Sequence, residues 1–163
     1  MKRFVSLLLA ILSLVLFVGS GYASERALVN DESSTRATRD PNNVKSLTYT
    51  GTGTTNATMS AALQAPSNGK IRISFSGCQF VGSSTGTPHT TKFPSKVKVW
   101  VERYKNTTGV WVSEVSKKDV TISNGSGYID LDITKSCIFS VHFEAQGVPN
   151  GYTFKYTRSV SSR

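Results

Sequence analysis

The sequence predicts an all-β protein: a single antiparallel β-sandwich, jelly-roll or immunoglobulin-like, of about eight or nine strands, with a flattened β-barrel as the second choice. Three observations carry this. Past residue 45, apolar side chains recur at every second position in one segment after another, the period of a strand with one buried face. The dipeptides Asn68-Gly69, Asn124-Gly125 and Asn150-Gly151 fall between those segments, where tight turns call for positive φ. No stretch beyond the N-terminal leader carries apolar residues at the helical spacing of three and four.

The elements follow in chain order. Lys2 and Arg3 precede an apolar run from Phe4 to Val18 and a small-residue site at Gly21-Tyr22-Ala23, the pattern of a secretory signal peptide over residues 1–23. The run falls short of the roughly 20 residues that cross a bilayer. No cysteine follows it to accept a lipid, so the sequence predicts a secreted, extracellular product without a permanent membrane anchor. Residues 24–45 are polar, mixed in charge and free of aromatic side chains, which reads as a flexible leader or propeptide. Residues 46–163 are then the β-sandwich domain, a length suited to one core.

Within that domain, Leu47 and Tyr49 alternate with hydroxyl residues, and Met59, Ala61 and Leu63 likewise fall at every second position. Ile71, Ile73 and Phe75 form the next buried face, and Val97, Val99 and Val101 another. Further strands are expected in GVWVSEV, DVTIS, GYIDLDI, SCIFSVHFEA and YTFKYTRSV, with a glycine-containing hairpin turn ending at Gly109. In SCIFSVHFEA, Cys137, Phe139, Val141, Phe143 and Ala145 share the core side, which turns Ile138, Ser140, His142 and Glu144 outward.

The chain has two cysteines, and export into an oxidising compartment predicts one disulfide between Cys78 and Cys137. Closing a loop of that length would stabilise the fold by about 4 kcal/mol in the chain-entropy picture. Cys78 has the wrong parity for the core face of Ile71, Ile73 and Phe75. The pairing therefore requires a bulge at Gly77 that shifts the register by one.

Charge narrows the partners. Losing Lys2 and Arg3 with the signal leaves 17 basic against 10 acidic residues, so the formal +9 becomes +7. Such a balance favours anionic company, which outside a cell means envelope polymers or acidic glycans; no feature specifies nucleic acid. The densest basic region, from Lys92 to Lys105, interleaves with Phe93, Trp100 and Tyr104, and Trp111 and Tyr128 are further rings that could meet a sugar. The expected binding surface is Lys96, Lys98, Trp100, Arg103 and Tyr104.

Catalytic groups are sparse. The two histidines are His89, on a loop among hydroxyls, and His142, on the outward side of its strand. Ser140, His142 and Glu144 would stand in a row about 7 Å apart, too far for a proton relay. Zinc lacks a close ligand pair once the cysteines are joined. Asp130 and Asp132 read as a solvent-facing pair rather than a calcium site. A glycosidase pairing of either with Glu144 depends on a separation the sequence does not fix. The sequence thus predicts no catalytic residue, no metal and no cofactor. It predicts a non-enzymatic protein binding an extracellular or cell-envelope partner. A secreted toxin, bacteriocin or inhibitor with a removable leader is the alternative, and a small hydrolase the third reading.

Overall fold

The structure is a computed structural model that describes residues 39–163 apart from Asn56 and Ser60, with backbone alone for 57–59. The predicted signal peptide and residues 24–38 of the predicted leader lie outside the described residues. Ala37–Arg163 forms one compact unit. Nine strands run through it: β1 Tyr49–Gly53, β2 Ala57–Met59, β3 Leu63–Gln64, β4 Lys70–Gly82, β5 Lys96–Lys105, β6 Val110–Thr121, β7 Gly127–Asp132, β8 Ile138–Ala145 and β9 Tyr152–Ser162. Among the described residues no helix is long and apolar enough to cross a membrane.

The strands form two antiparallel sheets. The first has the order β1-β9-β4-β7 and the second β2-β8-β5-β6, with β3 also pairing β8. Nearly every connection crosses from one sheet to the other, and only β5 and β6 form a hairpin within a sheet. This is the jelly-roll arrangement of two interlocked Greek keys, so the sandwich reading holds over the barrel. The turns sit where the dipeptides placed them. Asn124 and Gly125 take φ of 49° and 72°, the paired positive angles that let the chain pass from β6 to β7.

The core lies between the sheets. Ile71, Ile73 and Phe75 of β4 meet Val97, Val99 and Val101 of β5 and Phe139, Val141 and Phe143 of β8, all essentially free of solvent. Phe143 is the hub, edge-on to Phe75 at 5.2 Å and to Tyr156 at 4.6 Å. Burying each such side chain is worth about 1.5–3 kcal/mol. One predicted strand differs: the alternation from Met59 to Leu63 is split into β2 and β3, because Ala61 and Ala62 are both fully buried between them and break the period of two.

Gly77 adopts φ of 60°, and the β4–β9 register shifts between Ser76 and Gln79. Buried positions consequently change from Ile71, Ile73 and Phe75 to Cys78 and Phe80, which is the predicted bulge. The predicted disulfide is not there. Cys78 and Cys137 are both free thiols. The Cys137 carbonyl accepts the Ala65 amide at 2.7 Å, beside the turn that leads into the start of β4, whereas the Cys78 amide is tied to Gly125 at 2.9 Å near the other end of the sandwich. Eight positions of extended strand separate Cys78 from Lys70, on the order of 25 Å. A disulfide needs Cα atoms within about 7 Å. Each thiol instead packs as a small apolar group, and burial pushes the pKa of each up to about 11, with the Glu114 charge adding to it at Cys137.

Candidate functional site

Lys96, Lys98, Trp100 and Tyr104 alternate with the core valines of β5 and project from the outer face of the second sheet. The register adds neighbours from both flanking strands. Trp100 stands opposite His142 of β8, and Tyr104 opposite Trp111 of β6. Lys98 stands opposite Glu144 on one side and Asp119 on the other.

The rings on this face are oriented by cations and by each other. Lys117 Nζ lies 4.6 Å from the Trp100 ring centroid, and the Trp100 indole is stacked with the His142 imidazole at 5.2 Å. The Arg39 guanidinium lies 4.5 Å over Trp111, and Trp111 meets Tyr104 at 5.5 Å. Each contact of this kind contributes about 0.5–1 kcal/mol at a half-exposed site. Both tryptophans are half-buried, neither core residues nor free rings.

The charges are paired, most of them loosely. Lys96 and Lys98 share Asp119 at 3.2 and 3.9 Å, and Lys117 meets Glu144 at 3.2 Å, all with half-exposed side chains. The Lys117 hydrogen bond holds the Glu144 carboxyl below the usual carboxylate range. Glu102 is the best enclosed acid of this face, paired with Arg39 and with Oε2 3.1 Å from His142 Nε2.

Arg103 does not belong to this face. It shares the parity of Val97, Val99 and Val101 and turns to the core side at the end of the sandwich, where its Nε donates to Glu114 Oε2 at 2.9 Å. Glu114 Oε1 accepts from the Thr134 amide at 2.6 Å and the Thr134 hydroxyl at 2.7 Å. Burial pushes the Glu114 carboxyl up, and these hydrogen bonds outweigh it and hold it below the usual range. Arg103 is a structural clamp.

The histidines are not placed as surface groups. His142 faces outward as predicted, yet it is only 4% exposed because Trp100, Glu102 and the segment bearing Arg39 cover it. Burial pushes its pKa down to about 4, against the Glu102 carboxylate and together with Arg39. His89 has a partner after all: its Nδ1 accepts the Thr91 and Lys92 amides at 3.2 and 3.1 Å, and its ring rests on Tyr152. It folds the loop after β4. Asp130 looks out from the first sheet and is gripped by Arg72, while Glu144 looks out from the second. The two carboxylates lie on opposite surfaces of the sandwich and cannot flank one bond.

Residues missed from the sequence were within reach of register arguments. Counting back from the turn at Thr107 to Gly109 pairs Tyr104 with Trp111, which doubles the aromatic group. Lys117 and Arg39 carry no such local signal, since one depends on a register shift in β6 and the other on a distant segment.

No family model matches the chain, and no curated protein matches it. Among solved structures it is similar to the pre-peptidase C-terminal domain of collagenase from Bacillus anthracis, at 11% identity over 73% of this chain and 93% of that one, with a TM-score of 0.41. It is similar also to CorA, a surface-associated copper-binding protein of Methylomicrobium album BG8, at 8% identity over 70% and 93% with a TM-score of 0.41. A third similarity is to the CBM22-1 xylan-binding domain of Paenibacillus barcinonensis Xyn10C, at 14% identity over 71% and 73% with a TM-score of 0.34. These likenesses concern fold alone.

Proposed function

We propose that the chain is a secreted, non-enzymatic β-sandwich module that binds an anionic cell-envelope polymer or glycan through the outer face of the second sheet. The observation that carries this reading is the convergence on one face of Lys96, Lys98 and Lys117 with Trp100, Trp111 and Tyr104. Each lysine is paired with a half-exposed carboxylate, and Lys117 also lies over the Trp100 ring. Exposed pairs of this kind are worth about 0–1 kcal/mol, so a polymer carboxylate or phosphate can replace Asp119 or Glu144 at little cost. The half-exposed rings offer stacking area beside that charge.

The test is retention of the purified secreted chain on insoluble cell-wall material and on an immobilised acidic polysaccharide, across a salt series. Binding should weaken as salt rises, and replacing Lys96, Lys98 and Lys117 together by Ala should remove most of it. Arg103 is left out of that variant because it holds the fold. Unchanged retention of the triple variant would overturn the assignment to this face.

A further inference from the structure

We propose that the outer face of the first sheet is a second, separate binding surface, built for an extended uncharged polysaccharide. It does not rest on the reading given for the second sheet, which lies on the opposite side of the sandwich. The outward positions of three adjacent strands carry hydroxyls in register. Ser74 of β4 stands opposite Ser159 of β9, which stands opposite Thr50 of β1. Two residues along each strand, Ser76 stands opposite Thr157, and Thr157 opposite Thr52. Strand spacing sets these groups about 4.8 Å apart across the sheet and about 6.7 Å apart along it, a two-dimensional grid. Thr50, Thr52 and Ser76 are exposed and the other three half-buried within the sheet surface.

The first row ends in an aromatic ring. Tyr128 of β7 is directly opposite Ser74 and is 61% exposed. The Arg72 guanidinium lies 4.3 Å from its centroid, and Asp130 fixes that guanidinium through two hydrogen bonds of 2.7 and 2.9 Å. Tyr128 is thus backed on one side by a clamped cation and presents the rest of its ring to solvent. A ring beside a row of hydroxyls is what a polysaccharide needs: the carbon–hydrogen side of one sugar stacks on the ring while the hydroxyls of the next sugars exchange water for Ser and Thr.

The charge pattern selects the polymer. None of the six grid positions is charged, and the bordering Arg72 and Arg163 both face Asp130, at 2.7 and 3.4 Å. Among the described residues the one unpaired cation beside these positions is Lys155, the next outward position of β9 beyond Thr157, so the grid matches a neutral chain and only its edge would meet an acidic one. The absence of an apolar centre argues against a folded protein as the partner.

The experiment is a depletion assay of the secreted chain with insoluble cellulose, chitin, β-1,3-glucan and mannan at high salt, which silences the lysine-rich opposite face. Wild type should be depleted by at least one of them. Tyr128→Phe should retain binding, Tyr128→Ala should weaken it about tenfold, and Ser159→Lys should abolish it by placing a charge in the grid. Unchanged thermal melting of each variant confirms the fold. Failure of wild type to bind any of the four, or binding by Tyr128→Ala and Ser159→Lys equal to wild type, overturns the proposal. Retention only on acidic polymers, lost at high salt, also overturns it while leaving the second-sheet reading standing.

Discussion

The His142 imidazole lies along the Trp100 indole with the two planes 13° apart, a stack produced by the direct cross-strand opposition of the two residues. It fixes the imidazole in a site where burial pushes the pKa down to about 4, whereas the ordinary value is 6.5. The unfolded chain therefore takes up a proton as pH falls through 6.5, and the folded chain refuses it until about 4. Stability should decline across that window, by up to about 3 kcal/mol from this residue. Denaturant midpoints measured at several pH values should show the decline, and His142→Gln should flatten it. A profile identical in the variant would show that another group governs it.

Arg158 projects from β9 into the core and is 3% exposed. Its guanidinium lies 5.0 Å from the Tyr49 ring and 5.3 Å from the Phe143 ring, and among the described residues Nε and Nη1 have no hydrogen-bond partner. A buried charge without a counterion is costly, and cation–π contacts recover only part of that cost. Arg158→Met should leave the protein as stable as wild type or raise its stability by about 1–2 kcal/mol, read as a shift in denaturant midpoint. Arg158→Ala should lower it by about 2–4 kcal/mol through the cavity it opens. A loss in the Met variant as large as in the Ala variant would sink this account.

The two thiols should behave as apolar groups, Cys78 buried and Cys137 half-buried. With pKa values of about 11, only about one thiol in a thousand is ionised near pH 8. Native protein should resist alkylation at Cys78 and Cys137, and both should react fully in denaturant. The intact mass should be the same with and without reductant. A gain of two hydrogens on reduction would reinstate the disulfide.

Glu114 joins β6 to β5 through Arg103 and to the segment before β8 through Thr134. Because hydrogen bonding holds its pKa below the ordinary carboxylate range, its contribution is present at neutral pH and is lost as pH falls through the depressed value. Glu114→Ala should cost about 2–4 kcal/mol, since it strands the Arg103 guanidinium, and Glu114→Gln should recover part of that. Arg103→Ala should destabilise by a comparable amount without changing the salt dependence of polymer binding. A variant of Arg103 with native stability but weakened binding would return it to the binding face.

Local chemistry was legible and distant chemistry was not. Parity and Gly77 together placed Cys78 in the core, because a bulge is a property of a few consecutive residues. The partner assigned to it was wrong, because where Cys137 falls along the sandwich depends on which strands neighbour one another across the whole chain. The outward direction of His142 was equally readable from its strand. Its burial was not, since the cover comes from Arg39, roughly a hundred positions earlier. Arg103 was grouped with Lys98 by closeness in sequence, although its odd number already placed it with Val97, Val99 and Val101.

The second sheet ends in β6, a twelve-residue edge strand. Long free edges invite other chains to add strands. Ser116 to Asp119 are four consecutive exposed positions, and Lys118 stands opposite Val99, on the side of the strand that would otherwise be apolar. The register of β6 against β5 also shifts around Val101, which disturbs the even row of amides and carbonyls an incoming strand would need. Charge and irregularity together disfavour edge-to-edge pairing between copies of the chain.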